Sequence, residues 1–141
     1  MKTTVTVRVD EYLSNISQLE QEYPNVAFVY MPAPLDGLGE YGPGNIANEQ
    51  IREYCLVNNK VLYDFADIES YDPDDNYFLD SGADGECDYS GGNWAVQWQD
   101  NHTEGIHWYD CAPPHTQPVN GNMKAYGAWY LFARLAGWIG N

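Results

Sequence analysis

The chain reads as an α/β protein with a mainly parallel sheet, and three stretches carry that reading. Val26-Ala27-Phe28-Val29-Tyr30-Met31 is an uninterrupted apolar run of strand length, the pattern of a central strand covered on both faces. Lys60-Val61-Leu62-Tyr63-Asp64-Phe65 is a second such strand. Between them, from Asn45 or Asn48 to Val57, Ile51, Tyr54, Cys55 and Leu56 fall on the inward face of a helical pattern. Strand, helix and strand joined by short connections place the two strands side by side and parallel.

Ahead of this unit, residues 3–9 alternate strictly. Val5, Val7 and Val9 share one face and Thr4, Thr6 and Arg8 the other, which predicts a half-buried strand at a sheet edge, added by residues 1–9. Asp10 then caps a predicted helix through about Tyr23, with Leu13, Ile16, Leu19 and Tyr23 as its apolar stripe. Pro24-Asn25 ends it, and a loop rich in Pro and Gly runs from Pro32 to Gly44. After the second strand, Asp67 to Gly92 is an acidic, glycine-containing loop. A loop of that length in a compact domain is usually functional or held by something. Asn93 to Trp98 predicts one or two helical turns with Trp94 and Trp98 on one side, either a lid on the core or an aromatic platform for a sugar ring or acyl chain. Trp108 is a further candidate substrate-binding aromatic beside Trp94 and Trp98. The closing helix spans about Met123 to Trp138, with Met123, Tyr126, Trp129, Tyr130, Ala133 and Leu135 near the helical period and Asn120 or Asn122 as its cap. Its other faces are also apolar, so it is expected to be largely buried. Lys124 and Arg134 interrupt it, so no membrane span is expected.

The 141 residues suit one domain with a real core. Six Lys and Arg against 21 Asp and Glu give a formal charge of −15, which argues against nucleic acid and anionic membrane as partners. No Lys or Arg occurs between Lys60 and Lys124, an interval holding 13 Asp and Glu. Within it, Asp74, Asp80, Asp84 and Asp88 space oxygen ligands as calcium loops do, although Tyr77 stands where the helix-loop-helix calcium pattern needs glycine. The segment is therefore either a calcium site or a solvated acidic loop, and no other cofactor is implied. Cys87 and Cys111 both lie in polar loops, where a disulfide would tie the acidic loop to the residues before the last helix; Cys55 sits in a helical pattern. A bridge would imply an oxidising compartment, and the triplets Asn15-Ile16-Ser17 and Asn101-His102-Thr103 fit export as glycosylation sequons. The first ten residues lack a long apolar core, so no signal peptide is expected among them.

Chemistry is expected in Asp110-Cys111-Ala112-Pro113-Pro114-His115. There an aspartate and a histidine five residues apart sit on a proline-stiffened loop leading into a helix. His107, Asp110 and His115 also offer two imidazoles and a carboxylate to a metal, at a spacing that matches no strong signature. The chain from about residue 10 resembles the C-terminal half of extracellular SGNH/GDSL-like hydrolase domains. The resemblance lies in Phe28-Val-Tyr-Met31, Leu35-Asp-Gly37, Asn48 to Cys55, Val61 to Pro73, His102-Thr-Glu-Gly105, Asp110 to Pro118 and Ala133 to Trp138. It implies a flavodoxin-like α/β/α sandwich, here truncated, with His115 as general base and Asp110 as its orienting partner, acting on carbohydrate or lipid-like esters. The Gly-Asp-Ser nucleophile block and the oxyanion-hole blocks of that family have no counterpart here. Two function classes therefore stand open: an ester hydrolase, and a non-catalytic extracellular module that binds or assembles. A sheet of about three strands has open edges, which predicts a homo-oligomer, a filament or a partner chain covering them.

Overall fold

The computed structural model describes residues 4–140, with residues 4–7 described by their backbone alone. Helix α1 spans Thr4–Glu22, so the predicted N-terminal strand is helical from Thr4 onward, and Thr3 lies outside the described residues. β-Branched residues cost a helix only a few tenths of a kcal/mol each, and strand preference needs a neighbouring strand to act on. Here residues 4–9 extend a helix that Asp10 to Glu22 already favour, and Asp10 is an interior residue, not its cap. Val9 is buried as a helical residue, against Tyr30, Ile51 and Cys55.

The predicted β-α-β unit is present. Strand β1 (Val29–Tyr30) and strand β2 (Val61–Leu62) pair in parallel with Val29 opposite Val61 and Tyr30 opposite Leu62, and helix α2 (Pro43–Val57) crosses between them. The chain is thus mixed α/β with a small parallel sheet. Each strand is shorter than its apolar run. Val26 and Met31 are exposed, so the first run is not covered on both faces as expected. Tyr30 is fully buried, edge-on to Tyr12 at 6.3 Å and tilted on Tyr54 at 5.7 Å. Burial of such a ring stabilises by about 2 kcal/mol.

A second core gathers Leu35, Ala66, Leu79, Ala83, Cys87, Trp94, Ala95, Trp98 and Val119. It joins helix α3 (Phe65–Glu69), the hairpin of β3 (Asp88–Tyr89) and β4 (Gly92–Asn93), helix α4 (Trp94–Asp100) and the start of helix α5 (Pro118–Leu135). Asp64 caps α3 through Asp67 N at 3.1 Å, and Asn93 caps α4 through Val96 N at 3.0 Å. The acidic loop is folded by its own carboxylates. Asp72 Oδ1 accepts from Asp74 N and Asn76 N, and Asp84 Oδ1 accepts from Glu86 N and Asp88 N, the side-chain-to-backbone turns that aspartate favours.

Helix α5 departs most from expectation. It begins with Pro118 at its first turn, where a missing N–H costs nothing, so Asn120 and Asn122 are interior and buried rather than caps. Its second half is not buried: Tyr126, Trp129, Tyr130, Phe132 and Leu135 are all exposed. The periodic stripe exists, but much of it faces outward; the elements that pack most on the helix are α3 and α4. Among the described residues no helix is long and apolar enough to cross a membrane.

Candidate functional site

A cavity of about 620 Å³ opens where the loop after β1, the end of α3, the turn at residues 84–86 and the loop before α5 meet. Its wall includes Asp36, Phe65, Glu69, Asp84, Glu86, His115, Thr116 and Lys124. Glu69 is nearly fully buried at the end of α3. Its Oε2 accepts from Leu35 N at 2.8 Å and its Oε1 from Lys124 Nζ at 2.6 Å. Lys124 also stands 5.4 Å over the Phe65 ring. One buried carboxylate thus ties the loop after β1 to α5, and with them two walls of the cavity.

Asparagines on helices hold both loops by the same device. Ala33 N donates to Asn48 Oδ1 at 2.8 Å, and Asn48 Nδ2 donates to Ala33 O at 2.9 Å. Tyr109 N donates to Asn122 Oδ1 at 2.7 Å, and Asn122 Nδ2 donates to Tyr109 O at 3.0 Å. Each buried side chain satisfies both backbone groups of one exposed loop residue, at about 1 kcal/mol per hydrogen bond. Gly121 lets the loop lie on α5: a Cβ there would stand 3.2 Å from Cys111 Sγ and 3.3 Å from Pro113.

The loop carries His115 on left-handed backbone, φ 58°, with Ala112 at φ 43°. Non-glycine residues enter this region at a cost of about 1 kcal/mol or more, and such strain concentrates at functional sites. The His115 ring is exposed on the cavity wall and has no hydrogen-bond or ion-pair partner among the described residues. Asp110 does not join it. The Asp110 carboxylate accepts from Ala112 N at 2.9 Å, closing a turn in its own loop, so the two residues are neighbours in sequence without forming a pair.

The other expected site residues are placed elsewhere. Trp94 and Trp98 are core residues, the first stacked on Phe78 at 5.8 Å and the second on His102 at 3.7 Å, so they offer no open platform for a ligand. The Trp98 indole N–H donates to Asp74 at 2.9 Å. Trp108 is half-buried and donates to His102 O at 3.2 Å. His107 Nδ1 accepts from Thr103 N at 3.0 Å. Of the proposed calcium ligands, Asp80 accepts from Ser81 Oγ, Asp84 closes its turn and Asp88 accepts from Asn93 Nδ2. No three His, Cys, Asp or Glu residues converge as a metal group among the described residues, either there or around His107, Asp110 and His115.

Cys55, Cys87 and Cys111 are free thiols in this structure, so of the two states the loops leave open for Cys87 and Cys111 it shows the unbridged one. Cys87 is buried beside Thr116 Oγ1 at 3.5 Å, and burial pushes its thiol above the ordinary range; Cys111 is exposed. Sequence reasoning missed Glu69, Lys124, Asn48 and Asn122. The signals were there in part: Lys124 ends a long interval without a cation, and an asparagine inside an apolar helix needs a partner. Comparison of the chain with protein-family models, with curated proteins and with solved structures returns no match, so the likeness to SGNH domains rests on the residues quoted above.

Proposed function

We propose that the cavity binds the ester of a polar, carbohydrate-like alcohol and that His115 acts there as general base in its hydrolysis, on a scaffold related to the flavodoxin-like SGNH sandwich. The observation that carries the reading is the His115 ring, unpartnered by protein, held on strained backbone at the wall of the cavity. The neutral imidazole takes a proton from water as the water oxygen attacks the acyl carbon. The acyl–oxygen bond then breaks, and the imidazolium returns the proton to the departing alkoxide. Asp36, Asp84 and Glu86 offer carboxylate oxygens to sugar hydroxyls, while Lys124 on the same wall is paired with Glu69. An extracellular setting belongs to this reading, supported by the exposed asparagines Asn15 and Asn101 of the two sequons.

A second reading, binding without turnover, is favoured by one observation: no hydroxyl or thiol is hydrogen-bonded to His115 among the described residues, so the family's serine route has no nucleophile here. Release of nitrophenolate from nitrophenyl acetate separates the two readings. Hydrolysis by the native chain that falls on the order of 100-fold in His115→Ala supports the first. Equal rates end it.

A further inference from the structure

We propose that the outward face of α5 is a self-association surface, on which a second copy of this chain docks face to face about a two-fold axis. Tyr126, Trp129, Tyr130, Phe132, Leu135 and Trp138 are each 43 to 73 % exposed and follow one another along the second half of the helix and its C-terminal turn. A helix apolar on nearly every side is stable in water only when something covers it. The rings are set in advance. Trp129 meets Phe132 edge-on at 6.4 Å and Tyr130 meets Trp138 edge-on at 5.8 Å, which lowers the entropy lost when a partner arrives.

Two observations select a second copy as the occupant. The first is area: aromatic side chains of 150–250 Å² each, about half to three-quarters exposed, present roughly 600 Å² of surface, and the aliphatic neighbours bring the face close to the ~800 Å² per partner of a stable interface. That is also at or above the largest apolar patch of an ordinary monomer. The second is charge. All 21 Asp and Glu precede Cys111, whereas the residues from Cys111 to the end carry Lys124 and Arg134 and no acid. Two copies of formal charge −15 repel over most approaches. A contact of α5 with α5 is the one that brings acid-free segments together and holds the acidic bodies apart. The face starts at Tyr126, after the residues of α5 that wall the cavity.

Sedimentation equilibrium over a concentration series tests this, with Trp129→Lys/Phe132→Lys as the disrupting variant and Leu56→Lys, an exposed site on α2, as the control. The native chain and the control are expected to dimerise in the micromolar range. The double variant should dimerise on the order of 100-fold more weakly, as loss of two central rings implies, with a melting temperature equal to that of the native chain when both are melted well below the dimer's dissociation constant. Raising the salt should tighten the native dimer, since it screens the repulsion between the acidic bodies. A native chain that stays monomeric at 100 µM, roughly a hundred times the expected dissociation constant, overturns the proposal and leaves the face to another partner. So does a dimer that survives the double variant, or one that salt loosens.

Discussion

Replacing Lys124 by methionine tests how the cavity is held. The Glu69 side chain is 2 % exposed and that of Lys124 is 24 % exposed, so the substitution removes the charge partner of a carboxylate that water scarcely reaches. Methionine keeps most of the stem that lies over Phe65, so the loss is mainly electrostatic. A buried carboxylate deprived of its cation costs about 3–5 kcal/mol. Because Leu35 N still donates to Glu69 and the lysine is partly solvated, the lower end applies, about 3 kcal/mol. For a domain of this size that is a fall in melting temperature of about 10 °C. Adding Glu69→Gln removes the orphaned charge while keeping an acceptor for Leu35 N, so the double variant should recover to within about 1 kcal/mol of native stability. Urea unfolding followed by tryptophan fluorescence reads both. A single variant that loses less than about 1 kcal/mol, or a double variant less stable than the single, would refute the assignment of Glu69 as a buried tie between the two walls.

Truncating an asparagine clamp should be costly: Asn48→Ala and Asn122→Ala each remove two hydrogen bonds and are expected to lose about 2 kcal/mol in the same urea assay, while Asn58→Ala, on an exposed residue, loses less than about 1. A thiol reagent should modify one cysteine of three in the native chain, Cys111, with Cys55 and Cys87 reacting only on unfolding; no reaction before reduction would mean the Cys87 to Cys111 bridge forms. Burial raises the thiols of Cys55 and Cys87 and the phenol of Tyr63, so the native chain keeps these protons to higher pH than the unfolded chain does. Their stabilisation is complete below the ordinary thiol range near 8.5 and is lost as pH rises through the native values, so unfolding free energy should decline from about pH 8.5 upward; a rise would contradict the burial. Chelation should leave the melting temperature unchanged, because Asp74, Asp80, Asp84 and Asp88 already accept hydrogen bonds from their own fold; a drop of several degrees would restore calcium to the acidic loop.

The parts legible in the sequence were those set by local pattern. The two apolar runs and the helix between them predicted a parallel β-α-β unit, and Val29 pairs with Val61 in that sense. Pattern alone misled where a neighbour decides the outcome. Val5 to Val9 alternate like a strand but had no strand beside them, and helix α1 took them instead. In α5 the periodicity was legible while its direction was not, because a hydrophobic stripe marks a face to be covered without saying whether the cover lies in the same chain. Trp94 and Trp98 were expected together on one side, and they are, facing the core. On the cavity wall, His115 could be singled out from its proline-bound loop. The ties that position it could not: Glu69 meets Lys124 across 55 positions and Asn122 meets Tyr109 across 13, separations that no local spacing rule spans. Asp110 illustrates the reverse error, since closeness in sequence suggested a pair and the carboxylate instead bonds two residues along.

The proposed hydrolysis needs an imidazole left free to act while the chain's other two are occupied. Proton NMR of the ring Cε1–H signals resolves this directly, because the chain has three histidines and His115→Ala assigns one. His102 Nδ1 is bonded to Trp98 O at 2.7 Å and His107 Nδ1 to Thr103 N at 3.0 Å. Titration with an O-acetylated oligosaccharide should therefore move the His115 signal and leave the other two in place. Movement at His102 or His107 alone, or no movement at saturating sugar, would contradict a binding site at the His115 cavity.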